Sequence, residues 1–223
     1  MSKKNARWRK LDNAAKLYSA ASNKKDTRVF RFYCELKEEV NPKALQEALN
    51  QTIETFPTFL MVLRKGFFWH YLEPCNLRPI VKEEYKEPCS RLYIRDKKTL
   101  LFEVTYYKKR INFEVFHVLT DGTGATEFLK ELVKNYLYLV HKEEGLEQIT
   151  LLPEDMTVQD QEDDSFLKYY SKNQKRPKKR KLNAFQIRRK KKDGNHLHVH
   201  ESVVSVQAVL KRSRELGVSM TVF

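Results

Sequence analysis

Residues 99–141 change their apolar period once, and that change constrains the fold more than any other feature of the chain. In 99–107, Leu100, Phe102, Val104 and Tyr106 share one face; in 110–117, Ile111, Phe113, Val115 and His117 do the same. The intervening residues are a short basic turn, so the pair reads as an antiparallel hairpin half buried against helices. From about Ala125 the period becomes helical, and Phe128, Leu129, Leu132, Val133, Tyr136, Leu137 and Val140 form a stripe ending near His141. A chain with this pattern folds as strands layered with helices.

The flanking segments extend that expectation. Residues 28–36 are aromatic and β-branched and read as a strand. Asn41 and Pro42 give a cap and a first helical residue, and Leu45, Leu49 and Ile53 recur on one face, predicting a helix over 42–55. Residues 59–73 read as two strands folded about Lys65 and Gly66. A further short strand is expected near 91–95. Beyond residue 195, 196–206 reads as a strand and the following stretch as a helix capped by Ser205 and closed by Gly217, after which the last six residues begin an apolar element.

Charge and composition narrow the function classes. The net charge is +14, but residues 168–192 hold 13 Lys and Arg with no carboxylate, so the remaining chain is nearly neutral. That run follows an acidic patch from Glu154 to Asp164 and reads as a solvated linker. It lacks the interleaved aromatics of a nucleic-acid reader, which leaves a basic nucleic-acid-binding protein acting through 175–192 as an alternative and not the leading reading. No apolar window approaches the length of a signal peptide or of a membrane span of about 20 residues, so a cytoplasmic protein is expected. Cys34, Cys75 and Cys89 have no zinc or disulfide spacing and read as reduced thiols. His196, His198 and His200 alternate on one strand without a placed acidic or cysteine partner, so no metal site is expected there. His70 and His141 read as polar positions at element ends, and Tyr106, Tyr107, Tyr136 and Tyr138 as core and rim.

The corner between strand and helix, His117 to Gly124, carries the chemistry. An inward histidine before a helix N-terminus is favoured as neutral imidazole by burial and by the helix dipole, whereas a nearby carboxylate favours the imidazolium. A free imidazole nitrogen can act as general base toward a hydroxyl or amine. Gly122 and Gly124 permit close approach to the backbone. From these residues alone, a structural histidine beside an ordinary turn is the stronger reading.

His117-x-x-x-Asp121-Gly122 resembles the HxxxDG motif of the chloramphenicol acetyltransferase-like superfamily, which includes nonribosomal peptide condensation domains and bacterial alcohol acetyltransferases. Residues 41–59 are similar to the superfamily's first helix, and 11–36 resemble the opening of the alcohol acetyltransferase group. The resemblance implies an α/β fold, a two-layer mixed sheet with helices. It implies an acyltransferase that moves an acyl group from acyl-CoA, a co-substrate and not a bound cofactor, to a small alcohol or amine. It further implies His117 as base, Asp121 as loop organiser held by an arginine, for which Arg28 and Arg31 are candidates, and Gly122 as the residue that keeps the substrate channel open. Two-domain members place this motif in their first half, so 1–150 is expected to be a half-domain, 151–195 a linker, and 196–223 the truncated start of a second half. A catalytically incomplete fragment lacking the C-terminal half is the rival expectation.

Overall fold

The computed structural model describes residues 8–67, 69–95, 97–142 and 200–223. The chain divides into two compact units, Met1–Ile187 and Arg188–Phe223.

Among the described residues of the first unit, seven strands form two sheets. The larger has the order β2 (Val29–Glu35), β7 (Arg110–Phe116), β6 (Phe102–Tyr107) and β5 (Lys82–Glu83). β7 pairs antiparallel with both neighbours, from Val29 opposite Phe116 to Glu35 opposite Arg110 on one side and from Phe102 opposite Val115 to Tyr107 opposite Arg110 on the other. β5 runs parallel to β6, which makes the sheet mixed. The expected hairpin is therefore β6–β7, turned by Lys108 and Lys109, with Lys108 at a φ of 50°, the left-handed conformation that tight hairpins use. The smaller sheet is antiparallel, β1 (Arg9–Lys10), β4 (His70–Pro74), β3 (Met61–Lys65), and the expected β3–β4 turn closes where the Gly66 amide donates to the Trp69 carbonyl at 2.7 Å.

Helices α2 (Pro42–Thr55) and α3 (Gly122–Val140) cover one face of the larger sheet. α2 starts where the sequence places it, because the Asn41 side chain accepts from the Lys43 and Ala44 amides and Pro42 occupies the first turn. Its buried Leu45, Ala48, Leu49 and Thr52 form one stripe. The two helices are pinned together by polar bonds as well: Asn135 Nδ2 donates to Thr52 Oγ1 at 3.0 Å, and the Asn41 amide donates to the Tyr136 hydroxyl at 2.9 Å. Beneath them Phe113 of β7 stacks on Phe128 of α3 with centroids 4.6 Å apart, and Phe59 and Phe102 complete the cluster. An additional helix, α1 (Asn13–Ala21), capped by Asp12 and burying Ala15, was not among the sequence expectations.

The other face differs from the expectation of a half-buried sheet. Every residue of β7 after Arg110 is buried, because the irregular segment 84–101 lies over the second face. The Cys89 amide donates to Glu114 Oε1, Tyr93 stacks parallel to Phe116 at 6.1 Å, and Leu92 and Leu101 are buried. The expected strand near 91–95 is thus not a strand: its order comes from side-chain and backbone contacts to the sheet and not from a ladder. β6 begins at Phe102, three residues later than the pattern suggests, and β7 ends at Phe116.

In the second unit, α4 (Val206–Glu215) has the expected caps, with Ser205 Oγ accepting from the Ala208 amide and Gly217 at a φ of 64°. Residues 200–205 are exposed and form no strand, and 218–223 are turns instead of the start of an apolar element. His196 and His198, the acidic patch and the basic run lie outside the described residues.

Replacing Phe128 by Ala removes the ring that touches Phe56, Phe59, Phe102 and Phe113. Its expected cost is about 3–5 kcal/mol, read as a lower urea midpoint, whereas Phe67→Ala at a fully exposed position leaves the midpoint unchanged.

Candidate active site

His117 is the first residue beyond β7, and its amide donates to the Arg28 carbonyl at 3.0 Å, which carries the β2–β7 ladder one pair further. The buried Val118 and Leu119 and the bond from the Leu119 amide to the Phe116 carbonyl, 2.8 Å, hold the turn that follows. The imidazole is half-buried. It stacks on Tyr18 of α1, centroids 3.9 Å apart and planes 14° from parallel, and tilts against Phe30 of β2 at 4.8 Å. Aromatic rings on two sides restrict the imidazole to few orientations and leave its ring nitrogens as the polar groups at that spot.

Tyr18 is the contact that sequence reading missed. The signal was present, since Asp12 is an N-cap residue and Leu11, Ala15 and Tyr18 recur at helical spacing, but the run is a single short amphipathic helix. Opposite His117 in the ladder, Arg28 adopts a φ of 56°, a backbone conformation that costs a non-glycine residue energy and that recurs around functional sites.

Asp121 caps α3. Its extended backbone lets Oδ1 accept from the Gly124 amide at 3.0 Å, and its carbonyl accepts from Ala125 at 3.0 Å. The arginine partner expected for Asp121 is neither candidate. Arg28 pairs with Asp26 at 2.9 Å. Arg31 lies on the opposite face of the sheet, where it binds Glu114 at 2.8 Å and Glu84 at 2.6 Å. Burial alone would lower the Arg31 guanidinium, but the two carboxylates outweigh it and hold it above its ordinary value. Among the described residues Asp121 forms no ion pair, so it organises the corner by capping.

Gly122 opens α3, and the nearest atom to a Cβ built there is Phe32 Cζ at 3.9 Å, an ordinary contact. Gly124 is the tighter position: a Cβ there would meet the Thr120 hydroxyl, which would have to turn away. His117, Asp121, Gly122 and Gly124 therefore share one corner, and Tyr18 and Phe30 join them from elsewhere in the chain.

The other titratable candidates lie elsewhere. His70 begins β4, and burial followed by Lys65 and Arg95 lowers its basicity; His141 caps the end of α3. Cys34, Cys75 and Cys89 are free thiols, each pushed up chiefly by burial, which disfavours the nucleophilic thiolate. Among the described residues no group of His, Cys, Asp and Glu could hold a metal ion, and no helix is long and apolar enough to cross a membrane.

No protein-family model and no curated protein sequence matches the chain. Solved structures do match it in shape. The starter condensation domain of rhizomide synthetase aligns with a TM-score of 0.51 at 13% identity, over 65% of this chain and 40% of that one. A variant of that domain in complex with C8-CoA gives 0.52 at 14%, over 64% and 38%. The first condensation domain of the calcium-dependent antibiotic synthetase, in complex with a substrate analogue, gives 0.51 at 13%, over 65% and 42%. The matched part of this chain has the fold of part of a condensation domain. The chain spans about two fifths of the length of these domains, and the α/β architecture expected from the motif is the one they share.

The capping role of Asp121 separates two substitutions. Asp121→Asn keeps an oxygen acceptor for the Gly124 amide and is expected to melt like the parent chain. Asp121→Ala loses about 1 kcal/mol, measurable as a lower midpoint in urea.

Proposed function

We propose that this chain is an acyltransferase component that moves an acyl group from an acyl thioester to an alcohol or amine, with His117 as the general base. The observation that carries the reading is the placement of His117 at the end of β7, directly before the N-terminus of α3, in a chain with the condensation-domain fold. A nitrogen of the imidazole takes the proton of the acceptor hydroxyl or amine as the acceptor oxygen or nitrogen bonds to the thioester carbonyl carbon. Collapse of the tetrahedral adduct breaks the C–S bond, and the imidazolium returns its proton to the departing thiolate. Stacking on Tyr18 and Phe30 holds the ring for that transfer, Asp121 keeps the corner wound through its cap, and Gly122 leaves the helix entrance without a side chain.

Acyl-CoA is the proposed donor. One matched domain is a complex with C8-CoA, and the His117-x-x-x-Asp121-Gly122 pattern is that of the acyltransferase superfamily. An alcohol acceptor is favoured over an amine by the resemblance of 11–36 to the alcohol acetyltransferase group, and a cytoplasmic location fits a CoA-dependent reaction. The half-domain, linker and second-half arrangement of 1–150, 151–195 and 196–223 belongs to the same proposal.

The test is transfer from acyl-CoA donors of graded chain length to a panel of simple alcohols and amines, followed as free CoA and as acylated product. His117→Ala is expected to lower turnover by about 10²–10⁴-fold while leaving the melting curve in place. Turnover that survives this substitution, or none with any pair of donor and acceptor, counts against the reading.

A further inference from the structure

A cavity lies away from His117, beside β5 and the start of β6. It measures about 360 Å³ and is lined by residues of 77–94 and 98–104, among them Glu103. None of Tyr18, Phe30 or His117 lines it. Its volume is at the small end of the range for ligand pockets, about 300–1,000 Å³.

Charge and polarity within it are unbalanced. Among the described residues five cations line the cavity, Arg78, Lys82, Lys86, Arg91 and Lys98, against one carboxylate, Glu103. Glu103 is already engaged: it pairs with Lys86, lies 3.9 Å from Lys82 and accepts from the Tyr85 hydroxyl at 2.8 Å. Arg78, Arg91 and Lys98 have no ion-pair partner among the described residues. Thr99 Oγ1 is buried on the same wall without a hydrogen-bond partner, and a buried hydroxyl left unpaired carries a desolvation cost that a bound acceptor would remove.

The rest of the lining is apolar. Leu100 lies on the inner wall, and Ile80 and Ile94 stand exposed at 65% and 44%. Exposed apolar side chains gathered at a concave site beside uncompensated cations mark a ligand with an apolar body and an anionic end. Arginine side chains select a planar carboxylate, which their guanidinium groups bind with two parallel bonds.

We propose that this cavity binds an alkyl carboxylate, its head group held by Arg78, Arg91 and Lys98 with the Thr99 hydroxyl, and its chain laid against Leu100, Ile80 and Ile94. The site is separate from the His117 corner and does not depend on the acyl-transfer reading.

Calorimetric titration with decanoate below its micelle concentration tests it. Decanoate is expected to bind at least tenfold more tightly than decanol or acetate, and the Arg78→Ala, Arg91→Ala, Lys98→Ala triple variant to weaken decanoate at least tenfold. These three side chains are exposed, so the triple variant keeps its fold, checked by its melting curve. Thr99→Val, which keeps the shape and removes the hydroxyl, is expected to weaken decanoate several-fold, and His117→Ala to leave it unchanged. Equal binding by the triple variant overturns the proposal, as does loss of binding in His117→Ala, which would move the ligand to the catalytic corner. Capture of the chain by vesicles of anionic phospholipid without binding of monomeric decanoate also overturns it, in favour of a membrane surface.

Discussion

Complete burial of β7 is the constraint on which the first unit depends. A strand covered on both faces must satisfy its polar residues internally, and β7 carries Asn112 and Glu114 among its buried positions. Glu114 is met by Arg31 Nε and Nη2 and by the Cys89 amide at 2.6 Å, while Arg31 Nη1 reaches Glu84. An ion pair this buried adds little net stability over an apolar replacement, but removing one member would leave an unpaired charge costing about 3–5 kcal/mol. What it supplies is register. It ties the irregular segment 84–90 to β7 and to β2, and so closes the face that the helices leave open.

With β7 held from both sides, the residue at its end inherits a defined position. His117 continues the ladder by one backbone bond, and two rings that belong to different elements, Tyr18 of α1 and Phe30 of β2, fix the plane of its imidazole. The turn that follows is anchored by buried Val118 and Leu119 and by the Asp121 cap. Histidine, turn and helix entrance are therefore one packed unit.

How much of this was legible in the sequence follows from how local each signal is. α2 was readable to the residue because its cap, its first-turn proline and its apolar stripe lie within 15 positions. The β6–β7 hairpin and α3 were readable for the same reason, and the six residues from His117 to Gly122 needed no tertiary contact to be grouped. The segment 91–101 was not readable, because its order depends on Tyr93 meeting Phe116 and on Cys89 meeting Glu114, and nothing near them in the chain announces those partners. The partner of Asp121 failed as an expectation for a related reason. An arginine two strands away can be guessed from a motif, whereas the competing demand of Glu114 on Arg31 exists only once the register is known.

Charge shows the same divide between average and arrangement. Summed along the chain, the basic run of 168–192 accounts for nearly all of the +14, and the body looks neutral. Neutrality of a sum does not require neutrality of a surface. On the larger sheet Glu114 and Glu103 are spent on Arg31, Lys86 and Tyr85, and among the described residues Arg78, Arg91 and Lys98 at the cavity have no ion-pair partner. The same pairing that allows β7 to be buried thus creates a local cationic field at the β6 edge, which no count over the sequence could reveal.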